Sequence, residues 1–577
     1  MEQQGLTSKL WRLVRRYNRY IKVGLITLVA LIIAMLPTGL FGIPGLDPIQ
    51  QRVIAIFVWA ACMWIVEAVP AWTTSLLIIV IMLLTVSDSA INPLINNLDK
   101  NMPQVDGYRL VVYAGDTTQT AREEAMVMAT RMEKEYPKQK AYIESDSLST
   151  RCLFGDYRKI KEAKEAMYMI KGKENITDIQ IKECPVFVQS KPLSYKTLMG
   201  TFANPTVMLF MGGFILALVA SKSGVDVSMA RAMLKPFGSR PNVVLFGFML
   251  VTALFSMFVS NTATAAMMLT FLAPVLRQLP PTEKGTAALA LAIPIGANIG
   301  GLATPIGTPP NGIALQYING ELGLGVDFGE WTMLMTPLML VILVISWLLL
   351  RFSFPFTAKK ISMHIVGGAK KGWRTNVIYG TLAVTILLWM FEKVTGINSY
   401  VVALFPIGVF AITRIIKSSD LKDIDWACLW MVAGGFALGE GMSKTGLADN
   451  LVQAIPFGSW PAIAVLIGGG LICWLLSQFI SNSAATALMV PIMVAVGRGI
   501  EEPLGEYGGI GTLLVGVAMA ASFAMSLPIS TPPNAIAYST GLIKTKQMFT
   551  VGMIVGVISL IIGYMLIITV GRMGYFG

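Results

Sequence analysis

Two short polar motifs interrupt long apolar stretches of this 577-residue chain. The first is Ser-Asn-Thr at residues 260–262, and the second is Ser-Asn-Ser at residues 481–483. Four residues before each motif stands another serine, Ser256 or Ser477. These side chains supply hydroxyl and amide oxygens, which suit a hard cation, but no titratable group for proton transfer. The motifs therefore predict cation coordination rather than acid–base chemistry.

A second pair of motifs follows the first pair by about fifty residues. It reads Thr-Pro-Pro-Asn at residues 308–311 and again at residues 531–534, an offset of 223 residues. The polar motifs are offset by 221 residues, and Gly-Gly-Phe at residues 212–214 and 434–436 by 222. Three blocks that keep their register within two residues indicate an internal duplication.

The proline- and glycine-rich blocks predict helices with an unwound centre, and such backbone is tolerated at membrane depth only where it is buried or lines a cavity. Unwound carbonyl groups can hold a cation, while helix N-termini offer N–H groups to an anion. No Arg, Lys, His, Asp or Glu lies within either polar motif or either Thr-Pro-Pro-Asn block. A bound cation would then supply the missing positive charge. The alternative is that Ser, Asn and Thr only join helices or bond to their own backbone, and two copies in register favour the functional interpretation over it.

The elements that must position these motifs are membrane helices. The chain is 54% hydrophobic, its mean hydropathy is +0.65, and several runs reach the ~20 apolar residues that cross a bilayer. We expect an all-α polytopic membrane protein with about eleven transmembrane helices, two re-entrant hairpins and an inserted α/β domain. Five spans in each copy, an odd number, make the two copies inverted repeats.

The expected segments follow from charge and hydropathy along the chain. They are a cytoplasmic basic N-terminus (1–22), scaffold spans 1–3 (23–96), a water-soluble insertion (97–195), the rest of the first repeat (200–352, with hairpin 242–279 and broken helix 285–318), a cytoplasmic basic loop (353–375), and the second repeat (376–577, with hairpin 461–497 and broken helix 511–540).

The net charge of +12 is concentrated beside the spans, which favours membrane orientation over nucleic-acid binding. Basic residues precede the first span and fill the loop 353–375, so the positive-inside rule places both in the cytoplasm. The first span lacks a convincing cleavage site and is interpreted as uncleaved. Three spans then leave the insertion outside the membrane, on the side opposite the N-terminus.

The insertion contains 16 Lys or Arg and 15 Asp or Glu and predicts the order β-α-β-β-α-β of a ferredoxin-like domain. The phrases Tyr-Ala-Gly-Asp at 113–116 and Leu-Phe-Gly-Asp at 153–156 mark two half-units that resemble the sporulation-related (SPOR) repeat. That resemblance implies a periplasmic domain of an inner-membrane protein that binds peptidoglycan glycan strands. A purely structural insertion is the alternative. Whether Cys152 and Cys184 pair in an oxidising periplasm stays open.

Few other residues suggest chemistry. Glu67 ends a span just before Pro70, and we interpret it as a capping or snorkelling group rather than a functional one. No zinc-type cysteine spacing occurs, and His364 is the single histidine. With no nucleophile–base set and no phosphate loop, we do not expect an enzyme.

The doubled motifs, with Glu-Ala-Val-Pro at 67–70 and Gly-Gly-Phe-Ala-Leu-Gly at 434–439, resemble the divalent anion:sodium symporter (DASS) family of di- and tricarboxylate carriers. The resemblance implies a homodimer in which a scaffold domain supports a mobile transport domain that works as an elevator. It implies substrate contacts from Ser260, Asn261, Thr262, Thr308, Ser481, Asn482, Ser483, Thr531 and Pro532. It implies sodium (Na+) ligands from Ser256, Ser260, Asn261, Gly307, Ser477, Asn482 and Ser530, in two sites. Ser483 stands where the family has threonine, and the long insertion is outside the family's pattern.

We therefore expect sodium-coupled import of C4-dicarboxylates such as succinate, malate and fumarate. The expected partners are the dicarboxylate, sodium ions, membrane lipid, a second copy of the chain and, through the insertion, peptidoglycan. Three alternatives stay open: a sodium-independent exchanger, a citrate or sulfate carrier, and a cell-wall anchor with an inert membrane part.

Overall fold

The computed structural model describes residues 2–575 except 44, 90–103, 137–138, 147, 158–159, 175, 177, 188–191, 278, 281–282, 362–367 and 455–459. Side chains are described from residue 19 onward, apart from those of residues 104–106 and 453. The described residues form one large helical hydrophobic core and a second, separate core within the insertion. His364 and the predicted boundary at residues 96 and 97 lie outside the described residues.

Three helices precede the insertion: α1 (Glu2–Met35), α2 (Pro48–Val66) and α3 (Ala71–Thr85). Helix α1 begins well before the apolar run, so the basic N-terminus and the first predicted span are one continuous helix. Lys and Arg are good helix formers, which explains why the boundary at residue 22 has no break. Glu67 is the C-cap of α2, with φ of 47°, and its side chain is exposed.

The insertion folds as an antiparallel sheet in the strand order β2-β3-β1-β4 with two helices. Its elements are β1 (Gln104–Gly115), α4 (Gln119–Glu135), β2 (Ala141–Ser145), β3 (Thr150–Tyr157), α5 (Ile160–Glu174) and β4 (Gln180–Phe187). Apolar side chains on one face of the sheet pack against both helices.

The two cysteines of the insertion are free. Cys152 pairs with Tyr113 of β1, whereas Cys184 pairs with Gly107, six residues away on the same strand. At ~3.4 Å per residue this separation along β1 is about 20 Å, far beyond the ~7 Å limit for Cα atoms joined by a disulfide. The register of the sheet therefore shows that Cys152 and Cys184 do not form a disulfide with each other.

The two ends of the insertion lie side by side. Asp88 donates its backbone N–H to Leu193 O at 2.9 Å, and Leu193 donates to Val86 O at 3.1 Å. The chain therefore leaves the helical body and returns to it at one point.

In the part of the first repeat that follows the insertion, the described residues form eight α-helices. They are α6 (Tyr195–Gly200), α7 (Pro205–Ser223), α8 (Val225–Leu234), α9 (Pro241–Ser256), α10 (Asn261–Leu276), α11 (Gly285–Gly301), α12 (Pro309–Gly320) and α13 (Phe328–Ser353). The second repeat comprises α14 (Trp373–Met390), α15 (Glu392–Thr395), α16 (Ser399–Val402), α17 (Leu404–Ile412), α18 (Trp426–Lys444), α19 (Leu447–Ala454), α20 (Ala462–Ser477), α21 (Asn482–Gly499), α22 (Glu501–Gly505), α23 (Gly509–Ser522), α24 (Pro532–Ser539) and α25 (Thr545–Arg572). The pairs α9/α10 and α20/α21 correspond, as do α11/α12 and α23/α24.

Among the described residues, four helical segments are long and apolar enough to cross a membrane: 48–66, 195–223, 328–353 and 545–572. Seven further apolar helices have 10 to 17 residues. Helices α9 and α10 have 16 residues each, and at ~1.5 Å per residue each is about 24 Å long, shorter than the ~30 Å hydrocarbon core.

Glycines allow α9 and α11 to pack with their backbones in contact. A Cβ at Gly300 would lie 2.3 Å from Ala253 O, and one at Gly296 would lie 2.6 Å from Met249 O. Both distances are too short for any side chain, so this helix pair fixes the position of the hairpin against the broken helix.

Candidate functional site

Each polar motif begins a helix. Ser260 is the N-cap of α10 and accepts a hydrogen bond from Ala263 N at 3.3 Å, and Ser481 caps α21 by accepting from Ala484 N at 3.2 Å. Serine is a favoured N-cap because its oxygen satisfies a backbone N–H that the helix leaves unpaired. The motifs therefore lie at the tips between the two helices of each pair.

The Thr-Pro-Pro-Asn blocks begin the second halves of the broken helices. Thr308 is the N-cap of α12 and Thr531 is the N-cap of α24, each followed by proline. Proline suits the first helical position because its missing N–H would be unpaired there in any case. Four helix N-termini, those of α10, α12, α21 and α24, thus meet at one place.

The asparagine that ends each block holds the unwound backbone. Its Nδ2 donates to backbone carbonyl oxygens nine and seven residues earlier: from Asn311 to Leu302 at 3.2 Å and Thr304 at 2.8 Å, and from Asn534 to Met525 at 2.7 Å and Leu527 at 2.9 Å. These carbonyls would otherwise be buried without a partner. The duplication is therefore preserved at the level of single hydrogen bonds.

A cavity of about 280 Å³ lies between the four helix N-termini. It is lined by every residue predicted to contact substrate, namely Ser260, Asn261, Thr262, Thr308, Ser481, Asn482, Ser483, Thr531 and Pro532. Gly307 and Ser530 also line it, whereas Ser256 and Ser477 lie fully buried behind it.

Helix N-termini, and not side chains, are the source of positive charge at the cavity. Of the described residues that line it, Asp425 is the one with a charged side chain. The aligned peptide dipoles place about half a positive charge at each helix N-terminus. The arrangement suits an anion whose remaining charge is balanced by bound cations.

A cluster of oxygen atoms lies beside Asn261, behind the first hairpin tip. One terminal atom of its amide is 2.6 Å from Ser256 Oγ, 3.1 Å from Gly307 O and 3.3 Å from Ala297 O. Placed as nitrogen, that atom donates to these oxygens. Placed as oxygen, it completes a set of four oxygen ligands of the type that alkali and alkaline-earth cations prefer.

The second copy presents the corresponding atoms differently. Ser477 Oγ and Asn482 Oδ1 are buried and have no hydrogen-bond partner among the described residues. Ser530 Oγ donates to Gln478 O at 2.9 Å, which fixes the loop that leads into α24. The chemistry of this donor set is also that of a cation site.

Sequence reasoning missed several residues of the site. Asn298 lines the cavity and donates to Thr531 Oγ1 at 3.1 Å and Asn534 Oδ1 at 3.2 Å. The carbonyl of Ala297 was also missed, because a backbone ligand leaves no signature in side-chain types. Asn298 has no counterpart in the second copy, where Ala521 stands, so the duplication could not reveal it. Its signal was a lone amide in a stretch of glycine and alanine.

Comparisons with known proteins point to one class. The family described as "CitMHS: Citrate transporter" matches residues 185–507, which is more than half of the chain. The sodium-dependent dicarboxylate transporter SdcS of Staphylococcus saprophyticus is 28% identical over 399 residues, covering 63% of this chain and 75% of that protein. SdcS of Staphylococcus aureus is 29% identical over 399 residues, and the match again covers 63% of this chain and 75% of that protein.

Two solved structures are similar at low identity. Neisseria gonorrhoeae MtrF, described as belonging to a class of antimetabolite efflux pumps, has a TM-score of 0.45 and 11% identity, covering 77% of this chain and 92% of that one. The Alcanivorax borkumensis YdaH transporter has a TM-score of 0.46 and 12% identity, covering 78% of this chain and 98% of that one.

Proposed function

Because the chain belongs to the citrate transporter family, and is therefore a multi-pass membrane transporter and not an enzyme, we propose that it couples the import of C4-dicarboxylates to sodium. Succinate, malate and fumarate are the proposed substrates, and sodium ions are the co-transported partners. The SdcS relatives, described as sodium-dependent dicarboxylate transporters, support this assignment.

One observation carries the proposal: four helix N-termini surround a cavity whose described lining includes an acidic side chain and no basic one. A dianion held only by hydroxyl, amide and backbone N–H groups needs cations close by. In this proposal the substrate carboxylates are held by the nine residues predicted for them, with one carboxylate at each hairpin tip.

Sodium would occupy two sites, one in each repeat. The first would involve Ser256, Ser260, Asn261 and the carbonyl of Gly307, and the oxygen cluster around the Asn261 amide supports it. The second would involve Ser477, Asn482 and the carbonyl of Ser530, and the two unpartnered oxygens there support it. The Ala297 carbonyl joins the first set.

We infer an elevator-type mechanism in a homodimer, with inverted repeats of about eleven spans and two re-entrant hairpins. The internal duplication and the short helices of the first hairpin support this arrangement. The proposed domain boundaries are those expected from the sequence.

The proposed location is the bacterial inner membrane, with the N-terminus and the loop 353–375 in the cytoplasm and the insertion in the periplasm. We assign the insertion to the ferredoxin-like class and to a SPOR-like domain that contacts peptidoglycan. Its strand order, with β1 and β3 central and β2 and β4 at the edges, supports the ferredoxin-like class.

Uptake of labelled succinate in sodium against choline tests the proposal. The expected result is uptake that requires sodium and is inhibited by unlabelled malate and fumarate. Equal uptake in choline would refute sodium coupling. Strong counterflow in sodium-free proteoliposomes would instead identify a dicarboxylate exchanger.

A second candidate substrate is citrate, because the matching family is described as a citrate transporter. Ser483 lacks the methyl group of a threonine at a cavity-lining position, which leaves more room for a tricarboxylate. Competition by citrate or sulfate against labelled succinate distinguishes these anions. Complete inhibition of succinate uptake by a low concentration of citrate would identify a citrate carrier. Complete inhibition by a low concentration of sulfate would identify a sulfate carrier.

A further inference from the structure

Asn298 joins the two repeats at the cavity through an amide that only one repeat possesses. It lies on α11 in the first repeat and is 2% exposed, yet its Nδ2 donates to Thr531 and Asn534 of the second repeat. The offset of 223 residues that relates residue 308 to residue 531 relates Asn298 to Ala521. This contact is therefore asymmetric.

Hydrogen bonding fixes the orientation of the Asn298 amide. Asn534 Nδ2 donates to Met525 O and Leu527 O, so the Oδ1 of Asn534 must be the atom that faces Asn298. An oxygen acceptor requires a donor opposite, and in an asparagine side chain only the nitrogen can donate. The same nitrogen reaches Thr531 Oγ1, so turning the amide over would lose the bond to Asn534 and would make Thr531 the donor in the other.

The Thr531 hydroxyl is left as a donor. A hydroxyl oxygen has two lone pairs and one proton. At Thr531 the lone pairs receive the Asn298 amide at 3.1 Å and the Asn534 backbone N–H at 3.4 Å. Thr531 is 4% exposed, lines the cavity and donates to no described protein atom in the hydrogen-bond network of the site. Its proton is therefore available to an acceptor in the cavity.

We propose that Asn298 is a positioning residue that pre-orients the Thr531 hydroxyl to donate to a substrate carboxylate. This inference rests on the anion-transport function proposed above, and it adds a residue that raises the affinity of the cavity for the substrate. A hydrogen bond to a charged acceptor is stronger than one between neutral groups, and an aligned donor needs no reorganisation when the anion arrives.

The first repeat lacks this device. The Thr308 side chain makes no capping hydrogen bond, and Asn311 Oδ1 has no partner among the described residues. The Thr308 hydroxyl is therefore not held by an amide from the opposite repeat. The two halves of the cavity are unequal although their motifs are alike.

A double-mutant cycle on the full-length transporter in proteoliposomes tests the proposal. Asn298→Ala and Thr531→Val should each raise KM for labelled succinate by about tenfold, the loss expected for one charge-assisted hydrogen bond. The double variant should be no worse than Thr531→Val alone, because Asn298 acts through that hydroxyl. In a Thr531→Ser background, which keeps the hydroxyl, Asn298→Ala should again raise KM about tenfold.

Two controls separate positioning from packing. Asn298→Leu fills the volume of the amide without donating a hydrogen bond, so its KM should equal that of the alanine variant. If the alanine variant does not reach the membrane, Asn298→Leu replaces it in the double-mutant cycle. The mirrored cycle of Asn298→Ala with Thr308→Val should be additive, because no amide links those residues.

Two outcomes would overturn the inference: additive effects of Asn298→Ala and Thr531→Val, or a normal KM in Asn298→Leu. If wild-type protein transports neither succinate nor citrate in sodium, the proposed function itself fails, and the inference fails with it. If the wild type shows sodium-dependent uptake but the effects of the two substitutions are additive, the inference about Asn298 fails and the proposed function stands.

Discussion

The two serines that precede the hairpin tips have different surroundings despite equivalent positions. Ser256 Oγ donates to Ala297 O at 2.8 Å, whereas Ser477 Oγ has no hydrogen-bond partner among the described residues. A buried hydroxyl without a partner is unfavourable by ~1–3 kcal/mol, so a ligand that satisfies it gains that free energy. The second proposed sodium site is thus the one whose occupancy should most affect stability.

Alanine at either hairpin-tip asparagine should abolish sodium-dependent uptake. Asn261→Ala and Asn482→Ala each remove an amide oxygen from a proposed sodium site and a polar contact from the cavity. Initial rates of labelled succinate uptake in sodium and in choline measure the effect, with a loss of about 100-fold or more expected from two lost charge-assisted contacts. Asn376→Ala, at an exposed position of α14, is the matched control and should transport normally. Normal rates in either site variant would contradict the residue assignments.

The residues predicted from the repeated motifs lie together in the structure. The nine residues expected to contact substrate all line one cavity, and the duplication made them stand out because most of them occupy equivalent positions of the two repeats. Asn298 could not be found this way, since its partner position is Ala521. The roles of the lining residues remain predictions until the variants are measured.

At the scale of elements, the contact of α9 with α11 depends on glycine. Gly300→Ala places a Cβ 2.3 Å from Ala253 O and must push the helices apart. Overpacking of this kind typically costs ~1–3 kcal/mol. We expect a lower melting temperature in detergent and reduced uptake, because the displaced hairpin carries Asn261.

The control for this substitution is Gly408→Ala in α17, where an added Cβ would meet nothing within 4 Å. It should leave the melting temperature unchanged or raise it slightly, since alanine favours helix over glycine. Equal melting temperatures of Gly300→Ala and wild type would show that the two helices can separate without cost.

The helix pairs around each tip were predictable from the pattern of apolar runs broken by polar, glycine and proline residues. Predicted hairpin 242–279 corresponds to α9 and α10, and predicted broken helix 511–540 to α23 and α24. The start of α1 could not be predicted in this way, because hydropathy marks where a helix becomes apolar and not where it begins. Hydropathy also does not identify which short apolar helices cross the bilayer.

At the scale of the whole molecule, the insertion should be dispensable for transport. It has its own hydrophobic core, and its two ends are joined by hydrogen bonds between residues 86–88 and Leu193. Deleting residues 100–190 and joining the ends with a short Gly-Ser linker should retain sodium-dependent uptake within about twofold, because the deletion removes a separate cooperative unit. Uptake is compared at equal amounts of protein in the membrane, and retained uptake would argue against the cell-wall-anchor alternative. Loss of uptake would assign the insertion a role in transport.

Cys184 offers a test of membrane orientation. It is half-buried on β4, whereas Cys152 is fully buried on β3. Burial raises the pKa of the Cys184 thiol and raises that of Cys152 to about 11. Since the thiolate is the reactive form, both react slowly at neutral pH, and the reaction of Cys184 accelerates as pH rises toward its pKa.

A membrane-impermeant maleimide added to the periplasmic side should therefore label Cys184 slowly at pH 7 and faster at pH 9. Cys184→Ser should remove that signal, and Cys152→Ser should leave it unchanged. Labelling of Cys184 only after the cells are opened would place the insertion in the cytoplasm and reverse the proposed orientation.

The unequal halves of the cavity bear on how an unsymmetrical diacid is received. Two identical half-sites related by a two-fold axis would accept malate head-first or tail-first with equal free energy. An amide at residue 298, where the equivalent position of the second repeat has the methyl group of Ala521, removes that equivalence. If the inference about Asn298 holds, the carboxylate that meets Thr531 is a particular end of the molecule, and we expect the two orientations of malate to bind with unequal free energies.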